Sequence, residues 1–432
     1  GRPATQARGY DDLSAAALER LGGTHVGGLE RGALSAALAA SVTALIQEGE
    51  EATLENIEDI SGRLAELRAD QPRQARLMNN LHVAGIETPL CRDLGIKYPI
   101  FSVGFVEGAG PELVAAVTDA GGCGVLGSCP PDEIRRRVSH VRELTAGTFG
   151  QNQIIAAFDE ASGADDDDRE EARQRIEAAI DEKVPVLVLF WGDPSPFVKQ
   201  AHANGVKVFV QTGSVAEAVR AAEAGVDAVI AQGVEAGGHV RATESLWVVL
   251  PKVVDAIKPV PVIASGGIGD GAAIARALRL GAQGVSMGTR FVASEEAWTH
   301  RVYKERIVSS TAADTLLTTL FDVWWPDAPH RVLRNRVVRE WEAAGRPSPG
   351  SRPREDLPAG RRRRPWSDDL QEWPRYAVGI IPPDFEGDPE DAPMWAGTSV
   401  DSIDSIKPAA EIVRELAAEA EAALERAQPR AT

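Results

Sequence analysis

Between Tyr98 and Ser309 the chain repeats one pattern eight times: a short apolar run rich in β-branched residues, a glycine, then a helical segment. No other feature restricts the fold as much. The runs lie at 99–103, 124–127, 151–156, 184–190, 207–211, 226–232, 260–265 and 283–288. The helical segments start at Pro111, Pro131, Asp167, Pro196, Val215, Glu244, Gly271 and Glu296. The runs are apolar along their length rather than alternating, as parallel strands covered by helices are. Eight strand–helix units within roughly 210 residues predict an α/β fold, a (β/α)8 TIM barrel. An open doubly wound sheet would use fewer strands.

The barrel leaves two flanks in a chain of 432 residues. Residues 1–85 are dominated by Ala, Leu and Glu, and three amphipathic stretches at 13–21, 29–48 and 54–68 predict a helical extension. The barrel itself takes 86–309. After it, residues 310–432 hold a Pro- and Arg-rich tract with Trp324, Trp325, Trp341, Trp366, Trp373 and Trp395. This part reads as a loop-rich cap that ends in an Ala/Glu-rich helix over 408–427. Its run Arg361 to Arg364 reads as a solvated loop. The acidic run Asp165 to Asp168 reads as the N-terminus of the third helix, where negative charge is favoured.

Lys and Arg number 46 against 64 Asp and Glu, a net charge of −18. Such a surface repels phosphate backbones and anionic lipid, so neither a nucleic-acid nor a membrane partner is expected. The uncharged stretch 32–46 is shorter than the ~20 apolar residues of a spanning helix. The three cysteines, Cys91, Cys123 and Cys129, form no C-x-x-C pair, which fits a reducing cytoplasm. No metal site is expected. A small-molecule substrate is, and a homo-oligomer is compatible with the sequence.

Barrel chemistry sits at the C-terminal ends of the strands, with a phosphate site commonly after strands 7 and 8. Strand 7 runs into Ser265-Gly266-Gly267-Ile268-Gly269-Asp270-Gly271, and strand 8 ends in Ser286-Met287-Gly288-Thr289-Arg290. Glycines let backbone N–H groups close on a phosphate, and the hydroxyl of Thr289 adds a donor. Gly267, Gly269 and Ala272 also match the dinucleotide fingerprint G-x-G-x-x-A, but the next strand ends without the carboxylate that reading needs. Strand 6 ends in Gln232-Gly233-Val234-Glu235-Ala236-Gly237-Gly238-His239, which places an imidazole suited to proton transfer at the barrel mouth. Trp191, just after strand 4, is either an aromatic wall of the pocket or a cover on the barrel rim.

These residues together resemble the FMN-dependent nitronate monooxygenase family, formerly the 2-nitropropane dioxygenases. The likeness runs over about residues 86–345, through PIFSVGF (99–105), AAVTDAGGCGVLG (115–127), FGQN (149–152), AQGVEAGGH (231–239), ASGGIGDGAAIARALRLGAQGVSMGTRF (264–291) and APHRVLRN (328–335). The resemblance implies that Asn152 and Gln232 hydrogen-bond the polar edges of an FMN. It implies backbone contacts from Gly237 and Gly267, and a phosphate site lined by Ser286, Met287, Gly288 and Thr289. The backbone near Val103 and Gly104 would face the isoalloxazine ring, and His239 matches the family's catalytic base. Two segments depart from the family pattern: Val103-Gly104-Phe105-Val106 replaces a methionine-containing segment, and Gly150-Gln151-Asn152 stands where GVN is usual.

The implied activity is oxidation of a nitronate or nitroalkane by O2 to a carbonyl compound and nitrite. FMN would be the electron acceptor and His239 the base. The alternatives are an FMN- and NAD(P)H-dependent reductase like the enoyl-acyl-carrier-protein reductases, and a flavin-binding regulatory or partner-docking protein whose helical N-terminus carries the function.

Overall fold

A computed structural model describes residues 85–159, 162–363, 367 and 369–426. The three amphipathic stretches expected in the N-terminal flank lie outside these residues, as do Arg364 and Trp366.

Eight parallel strands form one sheet: β1 (Ile100–Ser102), β2 (Val125–Leu126), β3 (Gly150–Ile154), β4 (Val186–Phe190), β5 (Lys207–Thr212), β6 (Ala228–Gln232), β8 (Val262–Ser265) and β9 (Gly284–Met287). A two-residue strand, β7 (Gly238–His239), leaves the sheet between β6 and β8. The order is β1-β9-β8-β6-β5-β4-β3-β2. Its two ends meet, because Phe101 bridges Cys123 in parallel, Ser102 N–H donates to Cys123 O at 3.1 Å and Cys123 N–H donates to Ile100 O at 2.9 Å. The sheet is therefore a barrel, and every expected strand overlaps an observed one.

Seven helices follow within two residues of their expected starts: α2 (Pro111–Asp119), α3 (Pro131–Leu144), α4 (Asp166–Asp181), α5 (Ser195–Ala203), α6 (Val215–Glu223), α7 (Leu246–Ala256) and α8 (Gly271–Arg279). The acidic run caps α4 as expected: Asp165 accepts from the Asp168 N–H, and Asp168 returns the bond. The eighth helix differs. Instead of one helix from Glu296, a four-residue α9 (Thr289–Val292) precedes α10 (Arg301–Val308). The intervening backbone is used elsewhere, since Glu295 N–H bonds Lys407 O and the Glu296 carboxylate accepts from Ala409 N–H. Glu296 thus caps the last helix of the chain rather than starting its own.

Alternate residues of β4 divide between two cores. Val186 and Val188 pack with Phe101, Phe209 and Ile263, while Leu187 and Leu189 pack with the helix layer. A short helix not expected from the sequence, α1 (Pro89–Leu94), adds Leu90 and Leu94 to the first cluster. The Thr88 hydroxyl and Leu90 N–H tie it to Gln283, beside the start of β9, so it closes the N-terminal end of the barrel.

The C-terminal part is more ordered than its loop-rich reading. β10 (Thr315–Thr318) and β11 (His330–Leu333) form an antiparallel sheet with β7, and α11 (Arg336–Ala343) follows. β12 (Pro358–Arg363), β13 (Leu370–Pro374) and β14 (Glu386–Gly387) form another sheet. The solvated loop expected at the arginine run is overturned. Arg361 to Arg363 lie in β12, whose two-residue period exposes Arg361 and Arg363 and buries Arg362, 4% exposed. The final helix, α12 (Ala409–Arg426), packs on the outside against α8 and α2. It comes so close that a Cβ on Gly271 would stand 2.2 Å from that of Glu419.

Candidate active site

A cavity of about 380 Å³ opens at the C-terminal ends of the barrel strands. All nine site residues singled out in the sequence line it: Asn152, Gln232, Gly237, His239, Gly267, Ser286, Met287, Gly288 and Thr289. Val103 and Gly104 line it too. The segment after β1 crosses the end of β2 at close range. A Cβ on Gly127 would sit 1.6 Å from Val106 O, and Val106 itself holds a positive φ of 47°. This crossing sets the height of the cavity floor.

One side of the cavity is backbone. Gly267 lies at φ 68°, and the N–H groups of Gly267, Gly288 and Thr289 engage no described residue. The Thr289 hydroxyl accepts from Gly397 N–H at 3.0 Å, which leaves its own hydrogen free to donate. Three N–H groups and one O–H thus belong to residues that line this side of the cavity, and they fit a phosphate. The dinucleotide reading of the same glycines does not survive. A Cβ on Gly269 would stand 2.8 Å from Ser399 O, so that glycine makes room for the C-terminal segment. Arg290, in α9 just after β9, donates to Ala293 O and Ser405 O.

Gln232 shapes the histidine loop. Its Nε2 donates to His239 O at 3.0 Å, and its Oε1 accepts from Arg241 N–H at 2.9 Å. One amide N–H is left over. β7 then places His239 opposite His330 of β11. The His239 imidazole stacks on Trp325, centroids 4.1 Å apart, and meets Trp395 at 5.5 Å, His330 at 5.6 Å and Trp191 at 6.1 Å. Trp191 is therefore part of an aromatic wall behind the histidine, and its φ of 68° is imposed on a non-glycine residue.

This wall sets the charge state. Burial pushes the His239 imidazole down to about 3, with His330 adding a smaller effect. Burial likewise lowers His330 to about 4. His330 is held in one neutral form, because Nδ1–H donates to Ala328 O and Nε2 accepts from Phe321 N–H. Nε2 of His239 is buried without a partner. At neutral pH the pair is uncharged, so His239 does not stand ready as a cationic donor, and the same burial makes it a weaker base than a solvated histidine.

The sequence reading missed the opposite wall. Gln211, next to the last residue of β5, lines the cavity, as its place near a strand end could have indicated. Trp325, Trp395, Tyr303, Glu107 and Arg362 also line it, and three of these come from beyond residue 309. The Trp324-Trp325-Pro326 cluster was the available signal, but nothing in one-dimensional order ties it to β6.

Among the described residues no helix is long and apolar enough to cross a membrane, and the three cysteines are buried and unpaired. Comparison with known proteins gives the lineage. A Mycobacterium tuberculosis protein, (3aS,4S,5R,7aS)-5-hydroxy-7a-methyl-1-oxo-octahydro-1H-indene-4-carboxyl-CoA dehydrogenase, is 34% identical over 265 residues, covering 60% of this chain and 70% of that one. The structure of FabK from Thermotoga maritima is 33% identical with a TM-score of 0.65, covering 79% of this chain and 98% of the other. The nitroalkane oxidase of Streptomyces ansochromogenes is 27% identical with a TM-score of 0.61, covering 78% and 99%. The nitronate monooxygenase family matches over residues 87–419, and the chain belongs to that family of flavin-dependent oxidoreductases.

Proposed function

We propose that this protein is a cytoplasmic FMN-dependent enzyme that oxidises a nitroalkane or nitronate with O2 to a carbonyl compound and nitrite. The observation that carries the reading is His239. It is walled by aromatic rings and lines the same cavity as the glycine cradle. Gly267, Gly288 and Thr289 would hold the FMN phosphate through the N–H groups described above. Ser286 and Met287 back that site, and Gly237 closes it where the loop meets Gly397. Asn152 and the remaining amide N–H of Gln232 serve the polar edge of the ring system. Bound FMN supplies the electron-accepting chemistry. The His239 imidazole takes the α-proton of a neutral nitroalkane, and the tryptophans keep water from it. A nitronate has already lost that proton and needs no base.

The test is the split between the two substrates. His239→Asn should retain FMN and lose ~10²-fold or more of its activity on neutral nitroalkanes, the scale of lost general-base catalysis. Activity on a pre-ionised nitronate should fall much less. Equal losses on both would remove the base role. A second reading, an NAD(P)H-dependent reductase, has support in the 34% identity to the Mycobacterium tuberculosis indene-4-carboxyl-CoA dehydrogenase named above. Under it the same imidazole would serve an acyl thioester. Rapid anaerobic reduction of the flavin by NAD(P)H, with no nitrite formed from any nitronate, would favour it.

A further inference from the structure

Arg362 is the residue the sequence reading set aside, and its surroundings are those of a binding group. It points inward from β12, its side chain only 5% exposed, and it lines the cavity together with Glu107. Nη1 donates to Glu107 Oε1 at 2.7 Å and to Ile380 O at 3.2 Å. One face of the guanidinium lies over Trp373, 4.2 Å from the ring centroid. Those contacts fix its plane and use one end of it. Nε is buried with no partner, and Nη2 bonds no described residue.

Nε and Nη2 share one edge of the guanidinium. That edge grips a two-oxygen anion through two parallel hydrogen bonds. A buried donor left unmade is costly, and a tie between barrel and C-terminal tract would need only the Nη1 end. Glu107 also cancels the charge of Arg362. The cavity therefore presents no lone buried cation, and an entering ligand meets directional N–H groups rather than a bare charge.

We propose that the Nε/Nη2 edge of Arg362 docks a planar two-oxygen anion of the substrate. This rests on the reading of the cavity as a substrate site and adds the group it selects. Two sources share that chemistry: a carboxylate carried by the substrate away from its reacting carbon, or the nitronate group itself.

The experiment is calorimetric titration of the flavin-loaded protein, without oxygen, with butanoate, the neutral isostere butanamide, and propyl-1-nitronate. At least one anion should bind tenfold or more tighter than butanamide. Arg362→Lys keeps the charge and loses the fork, and should weaken that anion at least tenfold with flavin content and butanamide binding unchanged. A response to butanoate assigns the edge to a carboxylate, and a response to the nitronate alone assigns it to the reacting group. The double variant Arg362→Met/Glu107→Gln removes both charges together, guards against misfolding from an orphaned carboxylate, and should show the same loss. If neither anion outbinds butanamide, or if either variant retains flavin and binds the anions like the wild type, the assignment is overturned. A protein that forms no nitrite but shows these heats would defeat the nitro-compound reading and leave the anion site standing.

Discussion

The two walls of the cavity are made of different material. The barrel wall presents backbone: glycines at strand ends, free N–H groups and one hydroxyl. The C-terminal wall presents bulk: Trp325 and Trp395 around His239, and the Glu107–Arg362 pair, which joins the β1 loop to β12. Backbone recognition suits a group common to a whole family, because it needs only short side chains at fixed strand ends. Large side chains set shape and polarity, and they suit what differs between relatives, the substrate. The comparison predicts that damage to the barrel wall removes the cofactor, whereas damage to the other wall changes chemistry and selectivity with the cofactor in place.

The largest effect should come from Gly267→Asp. The position has φ 68°, a Cβ there would stand 2.9 Å from that of Glu235, and a carboxylate would occupy the phosphate's place. Flavin absorbance in the purified variant should be lost. Gly267→Ala separates charge from the rest: it meets the positive-φ cost of about 1–2 kcal/mol and the same Cβ contact without the anion, and should retain part of the flavin. Full occupancy in the Asp variant would show that the cradle is not the cofactor side.

Trp325→Ala attacks the other wall. Its ring stacks on His239, and burial is the main reason the imidazole is held at about 3. Opening the stack to water should return the pKa toward ~6.5. The wild type should then show no histidine limb in kcat/KM from pH 7.5 down to 5.5. The variant should lose roughly tenfold over that range, as most of its imidazole becomes protonated. FMN content should not change. Loss of flavin in this variant would erase the distinction between the walls.

A smaller effect is expected in stability. Both histidines are neutral in the folded protein, with values of about 3 and about 4, against ~6.5 when unfolded. Below pH 6.5 the unfolded chain binds more protons, so stability falls as the pH drops. The contribution is complete above ~6.5 and is lost progressively toward the folded values. Each histidine adds a slope of up to ~1.4 kcal/mol per pH unit in that window. Denaturant unfolding of wild type and His330→Asn between pH 6.5 and 5, above the main carboxylate titrations, should give a shallower dependence in the variant. Equal slopes would mean that His330 is already charged in the fold.

The barrel was legible because its signal is local and repeated. Each apolar run such as VPVLVLF at 184–190 is long enough to read by itself, and each strand end is a place where function is expected. His239, the glycines and Thr289 followed from position. The C-terminal wall was not legible because its strands follow no repeated strand–helix pattern and its partners are far away in sequence. His330 meets His239 across 91 positions and Arg362 meets Glu107 across 255. The division at residue 309 also separated in sequence what the cavity joins in space. Even the arginine run, which looked uniform, carried the strand period that makes one of its members different.

That difference supports the smallest expected effect. Arg361 is on the outward face of β12, 55% exposed, with Nε donating to Glu386 Oε2 at 3.1 Å. An exposed ion pair contributes ~0–1 kcal/mol and is screened by salt. Arg361→Ala should therefore move the melting temperature by no more than about 3 °C, and by less at 0.5 M salt. Its neighbour faces the other way. Arg362→Ala would strand Glu107 in a buried site, where breaking such a pair costs ~3–5 kcal/mol, and salt should rescue little of it. The two substitutions are chemically identical and one residue apart, so only the two-residue alternation of β12 separates them. Comparable losses in both, or a salt response in Arg362→Ala matching that of Arg361→Ala, would show that the run is a solvated loop after all and that the C-terminal wall is not anchored where the ion pair places it.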